Sequence, residues 1–541
     1  MCSLLGISFA IVIEANCLRG TGHMWQQKPP TSTNSCNRPL SLARNGTSMG
    51  KRATSAVDIP VATMGAPGPE VEATLAAPPA VFLANYVYEC AIRRTANSCS
   101  RPPGSEPESK PELESGPEVP KPRTVTLAAG ELEGAVMAAW LTAEYLEAAL
   151  RRYYQNNELR VESMVINPAL GKGENYGAIL TRIHLVYSSI VEEHLIAKTV
   201  LEYEDAETKM KKAPYDIYNR ELEIYEQVLP KLQELAGEQL CPKILHIDRQ
   251  RGALIMEDLS YKGFVMAPRL QRLDEQHVSL VLRKLAKMQA ASAVLENNLL
   301  ENNFSLTEYD KGFFNRYTES FSAYFLGCLK SCANYLKTQA GYEHHAKLLD
   351  ELAPYYMGLG LRCFKQEQTH INVLTHGDLW TNNMMFKYEA GVPSDVLLID
   401  FQYAFWGSPT LDIHHLLNTS AVEQVRSELQ MKMRGVYHDV FVGELQRLGF
   451  KGQRLPSRKQ FHLESEQKRF YAVHCGLLLL PVLLNTDETD ADFAALLSDQ
   501  PRGMDMKRRL YLNPGIQDSI KQMVKHFELE GLLDPWQYEG L

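Results

Sequence analysis

A chain of 541 residues with 45% apolar side chains is long enough for a large core and for more than one domain. Its net charge of −9 provides no global attraction to nucleic acid or to an anionic membrane. Ten cysteines, five before residue 100 and five beyond residue 240, form neither a CxxC nor a Cys/His pattern, so neither a disulfide framework nor a zinc site is indicated.

Leu4 to Ile13 is apolar in the manner of a signal segment, but it lacks a basic start and Glu14 closes it early. A cytoplasmic protein is the expectation. Residues 1 to 125 hold 15 of the 28 prolines, with Ser/Thr-rich and Pro/Glu-rich tracts that cannot bury enough apolar surface to offset their ordering entropy. Residues 1–130 therefore read as a disordered extension, interrupted at most by a short helix around Ala80 to Ile92.

Order is expected from near Gly134. Trp140, Leu141, Tyr145, Leu146 and Leu150 recur at helical spacing across Ala138 to Tyr154. Strand-like runs follow at Glu162–Ile166, Ala178–Tyr187 and Leu195–Val200. The first two are joined by Gly171-Lys172-Gly173-Glu-Asn-Tyr-Gly177, whose glycines would let backbone amides approach a triphosphate. Lys198 sits inside an apolar strand on the face of Ile196 and Val200. A buried ammonium there needs an anion. The next helix offers Glu221, the preferred partner, or Glu223. After the run Pro242-Lys-Ile-Leu-His-Ile247, Gly252 to Leu259 reads as a fifth and last strand emptying into a polar linker. In a two-lobed kinase this is where backbone groups meet an adenine, which puts Met256, Glu257 and Leu259 beside the nucleotide.

From Asp274 onward the pattern is helical, at Val278–Ser292, Phe313–Leu336, His345–Gln366 and again beyond Leu411. The run Gly476 to Leu484 is too short to span a membrane, and Pro481 interrupts it. Between the helices stands Val373-Leu-Thr-His376-Gly-Asp378-Leu-Trp-Thr-Asn382-Asn383, answered by Val396-Leu-Leu-Ile-Asp400-Phe-Gln402. Each half is an apolar strand ending in a carboxylate. Phosphoryl transfer from a nucleotide needs such a set: one carboxylate to take the acceptor's proton, and two oxygen ligands for Mg²⁺. Five strands followed by helices predict an α+β, two-lobed chain, with an antiparallel-sheet lobe over residues 135–259 and a mainly helical lobe over 260–541.

These stretches together resemble the insect ecdysteroid kinase-like family, a branch of the aminoglycoside and choline kinase group within the protein-kinase-like fold. The resemblance rests on Gly-Lys-Gly-Glu-Asn-Tyr at 171–176, Arg-Glu-Leu-Glu-Ile-Tyr at 220–225 and Met-Glu-Asp-Leu at 256–259. It rests further on His-Gly-Asp-Leu-Trp-Thr-Asn-Asn at 376–383, Ile-Asp-Phe-Gln at 399–402 and Ser-Pro-Thr-Leu-Asp-Ile-His at 408–414. It covers roughly residues 135–540.

The resemblance implies ATP- and Mg²⁺-dependent phosphorylation of a hydroxyl on an ecdysteroid or similar small alcohol. In that carry-over Asp378 is the catalytic base, and Asn383 and Asp400 hold the metal. Lys198 contacts the α/β-phosphates with Glu221 behind it, the 171–177 loop covers the phosphates, and Asp412 braces the catalytic loop. His376 and Trp380 pack and orient that loop. One departure is Gln289, where family members tend to show a His.

A protein kinase fits less well. Asp400 is followed by Phe-Gln instead of Phe-Gly, and only about ten residues separate it from the Asp412 segment, leaving no room for a long peptide-gripping loop. The alternative from another class is a catalytically inactive kinase-fold module binding a small hydrophobic ligand or a protein. Its mark would be loss of Lys198, Asp378 or Asp400, and all three are present.

Overall fold

Period-two burial organises the first lobe. The protein, seen in a computed structural model, is described over residues 124–127, 139–169, 178–188, 191–200, 217–298, 304–487 and 496–534. Its main sheet comprises β1 (Thr124–Leu127), β2 (Val161–Pro168), β3 (Ala178–Tyr187), β4 (Val191–Val200), β5 (Ile244–Asp248) and β6 (Ala253–Glu257). Their spatial order is β1-β2-β3-β4-β6-β5. All neighbours are antiparallel except β1 and β2, which run parallel.

Among the described residues the sheet thus has six strands where five were expected, β1 falling within the 1–130 stretch that reads as a disordered extension. Thr-Val-Thr-Leu follows the last proline of the tail, and three of its four residues are β-branched, which suits it to a sheet edge. The remainder of that tail, the helix expected around Ala80 to Ile92, the Leu4–Ile13 segment and the glycine stretch 171–177 lie outside the described residues.

Ile183, Leu185, Leu195 and Ala197 are fully buried on one face of the sheet. They share a core cluster with Leu146 and Leu150 of α1 (Ala143–Tyr154), whose cap residue Thr142 accepts from the Tyr145 N–H. The other face turns Arg182 and Lys198 toward later parts of the chain, where Asp258 and Asp400 meet them. α2 (Ile217–Glu223) passes through a π-turn at Ile224–Val228 into α3 (Leu229–Ala236).

The second lobe is helical around two small sheets. β7 (Phe264–Met266), β9 (Met384–Glu389) and β10 (Val392–Leu398) form one, and β8 (Val373–Leu374) pairs with β11 (Trp406–Gly407) in the other. The helices are α4 (Glu275–Asn297), α5 (Ser322–Lys337), α6 (Glu343–Leu352), α7 (Tyr356–Phe364), α8 (Thr410–Thr419), α9 (Glu423–Ser427), α10 (Gln430–Arg447), α11 (Arg458–Gln467) and α12 (Phe470–His474). A π-turn at Cys475–Leu479 leads into α13 (Leu480–Leu483), followed by α14 (Pro501–Leu512) and α15 (Pro514–Leu529).

Two expected helices are shorter than the periodicity predicts. The run from Phe313 becomes α-helical only at Ser322, after a 3-10 turn at Thr318–Phe321, because the Thr318 hydroxyl bonds the Asn315 backbone and holds a turn: Asn315 N–H donates to Thr318 Oγ1, which donates to Asn315 O. The run from His345 breaks at Ala353, since Pro354 has no N–H to continue the ladder. Cys328 and Cys332 are buried free thiols one turn apart on α5, their pKa values raised by burial. Among the described residues, no helix is long and apolar enough to cross a membrane.

Candidate active site

Strand β4 lies between β3 and β6, and this central position presents Lys198 rigidly. Its ammonium donates to both oxygens of Glu221 on α2, at 2.6 and 2.8 Å, and stands 3.3 Å from Asp400 Oδ1. Burial works against the charge, but the Asp400 and Glu221 carboxylates outweigh it and hold the lysine's pKa above its ordinary value. Glu221, not Glu223, is therefore the partner.

The stretch 220–225 contributes more than that glutamate. Arg220 is buried and donates from Nη1 to the carbonyls of Lys311 and Ala404. One turn beyond Glu221, Tyr225 receives the Asp400 N–H on its hydroxyl at 3.3 Å. Asp400 adopts φ 67°, a left-handed conformation that an Asp tolerates better than most residues. The ion pair and the Tyr225 contact hold it there.

The loop after β8 is anchored from both sides. Leu379 is buried in one hydrophobic cluster and Trp380 in the next. Asn383 donates from Nδ2 to the Asp378 carbonyl and to Asp378 Oδ2, both at 2.9 Å, which leaves its amide oxygen as the acceptor. The Asn383 carbonyl accepts from Ile399 N–H at 3.0 Å, so this loop and the Asp400 loop are joined directly. A continuous network thus runs Glu221–Lys198–Asp400 and, through Ile399, to Asn383 and Asp378.

Asp412 at the start of α8 receives the N–H groups of His376 (2.6 Å) and Gly377 (2.9 Å). Burial pushes its carboxyl up to about 7, against the pull of these bonds. Gln289 occupies the remaining side, donating to Asp412 Oδ2 at 2.8 Å and accepting from the Tyr437 hydroxyl. All three side chains are buried. Gln289→Leu leaves the other two short of a partner and is expected to destabilise the fold by roughly 2 to 4 kcal/mol. Chemical denaturation measures this, and a change below about 0.5 kcal/mol contradicts it.

His376 does no visible proton chemistry. Its Nδ1 accepts from Asp378 N–H at 3.4 Å, its Nε2 faces the Ile399 carbonyl at 3.0 Å, and burial pushes its pKa down to about 4. It is a neutral strut between the two loops.

The linker residues behave differently from one another. Met256 is buried beside Leu254, and Leu259 packs with Phe264 and Leu397. The Glu257 carboxylate is engaged by Gln239, by Lys243 N–H and by Lys262, so its side chain faces away from a nucleotide role. Gly171, Lys172, Gly173 and Gly177 lie outside the described residues. Among the aromatic residues of the helical lobe, Phe313, Phe314, Phe405 and Trp406 are core residues and Tyr317 is exposed. On β3 and β4, His184, Glu192 and His194 bring metal-ligating atoms together. The two rings are stacked at 8°, however, so their in-plane lone pairs run side by side instead of converging.

The profile of the ecdysteroid kinase-like family matches residues 172–450, just over half of the chain. A search of curated proteins returns no match. Among solved structures the chain is similar to a choline kinase from Cryptosporidium parvum, at 12% identity over 72% of this chain and 99% of that one, with a TM-score of 0.36. It is similar to an ethanolamine kinase from Plasmodium vivax, at 14% identity over 63% and 83%, with a TM-score of 0.31. A third is an aminoglycoside 2′-phosphotransferase in complex with GDP, at 10% identity over 69% and 100%, with a TM-score of 0.32.

Proposed function

The chain belongs to the ecdysteroid kinase-like family, and from that premise we propose that it transfers the γ-phosphoryl group of ATP to a hydroxyl of an ecdysteroid or a similar alcohol. The coarser statement, a small-molecule kinase, follows from the family. The observation that carries the phosphoryl-transfer reading is the contact network of Lys198, Asp400, Asn383 and Asp378, drawn from three separate stretches of sequence, while the ecdysteroid class of acceptor rests on the family.

In this reading the Lys198 ammonium neutralises the donor's phosphates, and Glu221 keeps it extended and charged. Asp378 aligns the acceptor hydroxyl and takes its proton as the new P–O bond forms. The Asn383 amide oxygen and the Asp400 carboxylate are hard oxygen donors of the kind Mg²⁺ prefers, so this pair suits the metal. Magnesium held there supplies charge neutralisation at the phosphate oxygens. Most of the acceleration comes from positioning and electrostatic stabilisation, which a loop braced by Asp412 and tied to Ile399 is built to deliver.

The test is a screen of the purified protein with labelled ATP against ecdysteroids, other hydroxylated steroids and xenobiotic alcohols. Transfer of label to a steroid hydroxyl is expected. ATP binding without transfer to any acceptor instead favours the inactive ligand-binding module.

A further inference from the structure

Behind Asp378, on the side away from Asn383, lies a side chain that the motif reading did not use. His415 is on α8, three residues after Asp412 and therefore on the same helix face. It is 1% exposed, and its Nε2 stands 3.6 Å from Asp378 Oδ1. Its other nitrogen, Nδ1, lies 3.1 Å from the hydroxyl of Tyr471 on α12, which is itself buried.

We propose that His415 is a positioning residue for phosphoryl transfer, its Nε2–H steadying Oδ1 of Asp378 while Asn383 holds Oδ2. The inference rests on Asp378 being the base. An ionised carboxylate only accepts hydrogen bonds, so the imidazole nitrogen facing it carries the hydrogen. Nδ1 is then an acceptor, and the Tyr471 hydroxyl, which burial keeps protonated, is its donor. The carboxylate thereby sets the tautomer, and the Tyr471 hydroxyl satisfies the other ring nitrogen. Burial, with His376 nearby, pushes the His415 pKa down to about 3, so the ring acts as a neutral dipole.

A separation of 3.6 Å is beyond a hydrogen bond. Catalytic contacts are commonly loose before substrates bind and tighten in the loaded enzyme. α8 consequently serves the loop twice: Asp412 fixes its backbone and His415 fixes the reacting side chain.

The experiment measures kcat and KM for MgATP in the full chain, with the best acceptor of the panel, or water where none reacts, receiving the phosphoryl group. His415→Leu is expected to lower kcat by ~10²-fold, the scale of a carboxylate misplaced by about an ångström, with KM for MgATP unchanged. His415→Gln, which can place an N–H near the same point, restores most of that loss. Tyr471→Phe lowers kcat partially in the wild-type background and has no further effect beside His415→Gln, so the test stands even if His415→Leu does not fold. Wild-type kcat in a folded His415→Leu protein overturns the inference, as does His415→Gln being as slow as His415→Leu. Asp378→Asn measured alongside separates two failures. Intact turnover there removes the base itself, whereas collapse there with wild-type turnover in His415→Leu removes only the positioning role.

Discussion

Asp378→Asn is expected to lower turnover by about 10² to 10⁴, or roughly 3 to 5 kcal/mol of transition-state stabilisation, while ATP still binds. The substitution is close to isosteric. The new amide can still present an oxygen to Asn383 Nδ2, so the loop keeps the tie now made at 2.9 Å. Lys198, Asn383 and Asp400 are untouched, and they are the groups assigned to the nucleotide and its metal. What disappears is a group able to accept the hydroxyl proton. Kinetics with a fixed acceptor, together with nucleotide titration of the same preparation, measure the two halves separately. Turnover comparable to wild type counts against Asp378 as the base.

Gly377→Ala, one residue earlier, is expected to damage both stability and activity. Gly377 has φ 78°, a region where an alanine costs about 1 to 2 kcal/mol. A Cβ there would also fall within the van der Waals shell of the Tyr403 carbonyl oxygen, which is backbone and cannot swing aside. The loop must shift, and the Gly377 N–H bond to Asp412 shifts with it. Because Asp378 follows directly, a displacement of about an ångström lowers kcat by ~10²-fold. A thermal melt and a kcat measurement on the variant check this. Wild-type values for both would mean that the loop is not held as described.

Local pattern predicted much of this arrangement from the sequence. A lysine in an apolar strand demanded a carboxylate, and Glu221 meets it. Two strands ending in Asp, with Asn383 between them, needed only to be neighbours. The family resemblance, not local pattern, implied that Asp412 braces the loop, and Asp412 bonds two of its backbone amides.

The contacts that escaped attention act across long sequence separations. Arg220 bonds the Ala404 carbonyl, Tyr225 receives the Asp400 N–H, and His415 faces Asp378. None lies within a recognisable spacing of its partner, although His415 at i+3 from Asp412 is a signal a helical reading could have used. β1 was hidden because a four-residue edge strand has too few positions to show a period. The late start of α5 depends on side-chain bonds that compete with the helix and leave its hydrophobic spacing intact. Gln289 stood out in the sequence only as a departure from the family's His. It proves to connect Asp412 to Tyr437 through a buried amide.

The central claim is that residues 198, 378, 383 and 400 serve one bound nucleotide. Calorimetric titration of the wild-type protein and of Asp400→Asn with ATP, with and without Mg²⁺, addresses it directly. One site per chain is predicted, with the Mg²⁺-dependent part of the affinity lowered in the variant by about 2 kcal/mol or more, roughly 30-fold, because a charged oxygen ligand of the dication is lost. Unchanged affinity for MgATP in Asp400→Asn would put the metal elsewhere and contradict the assignment.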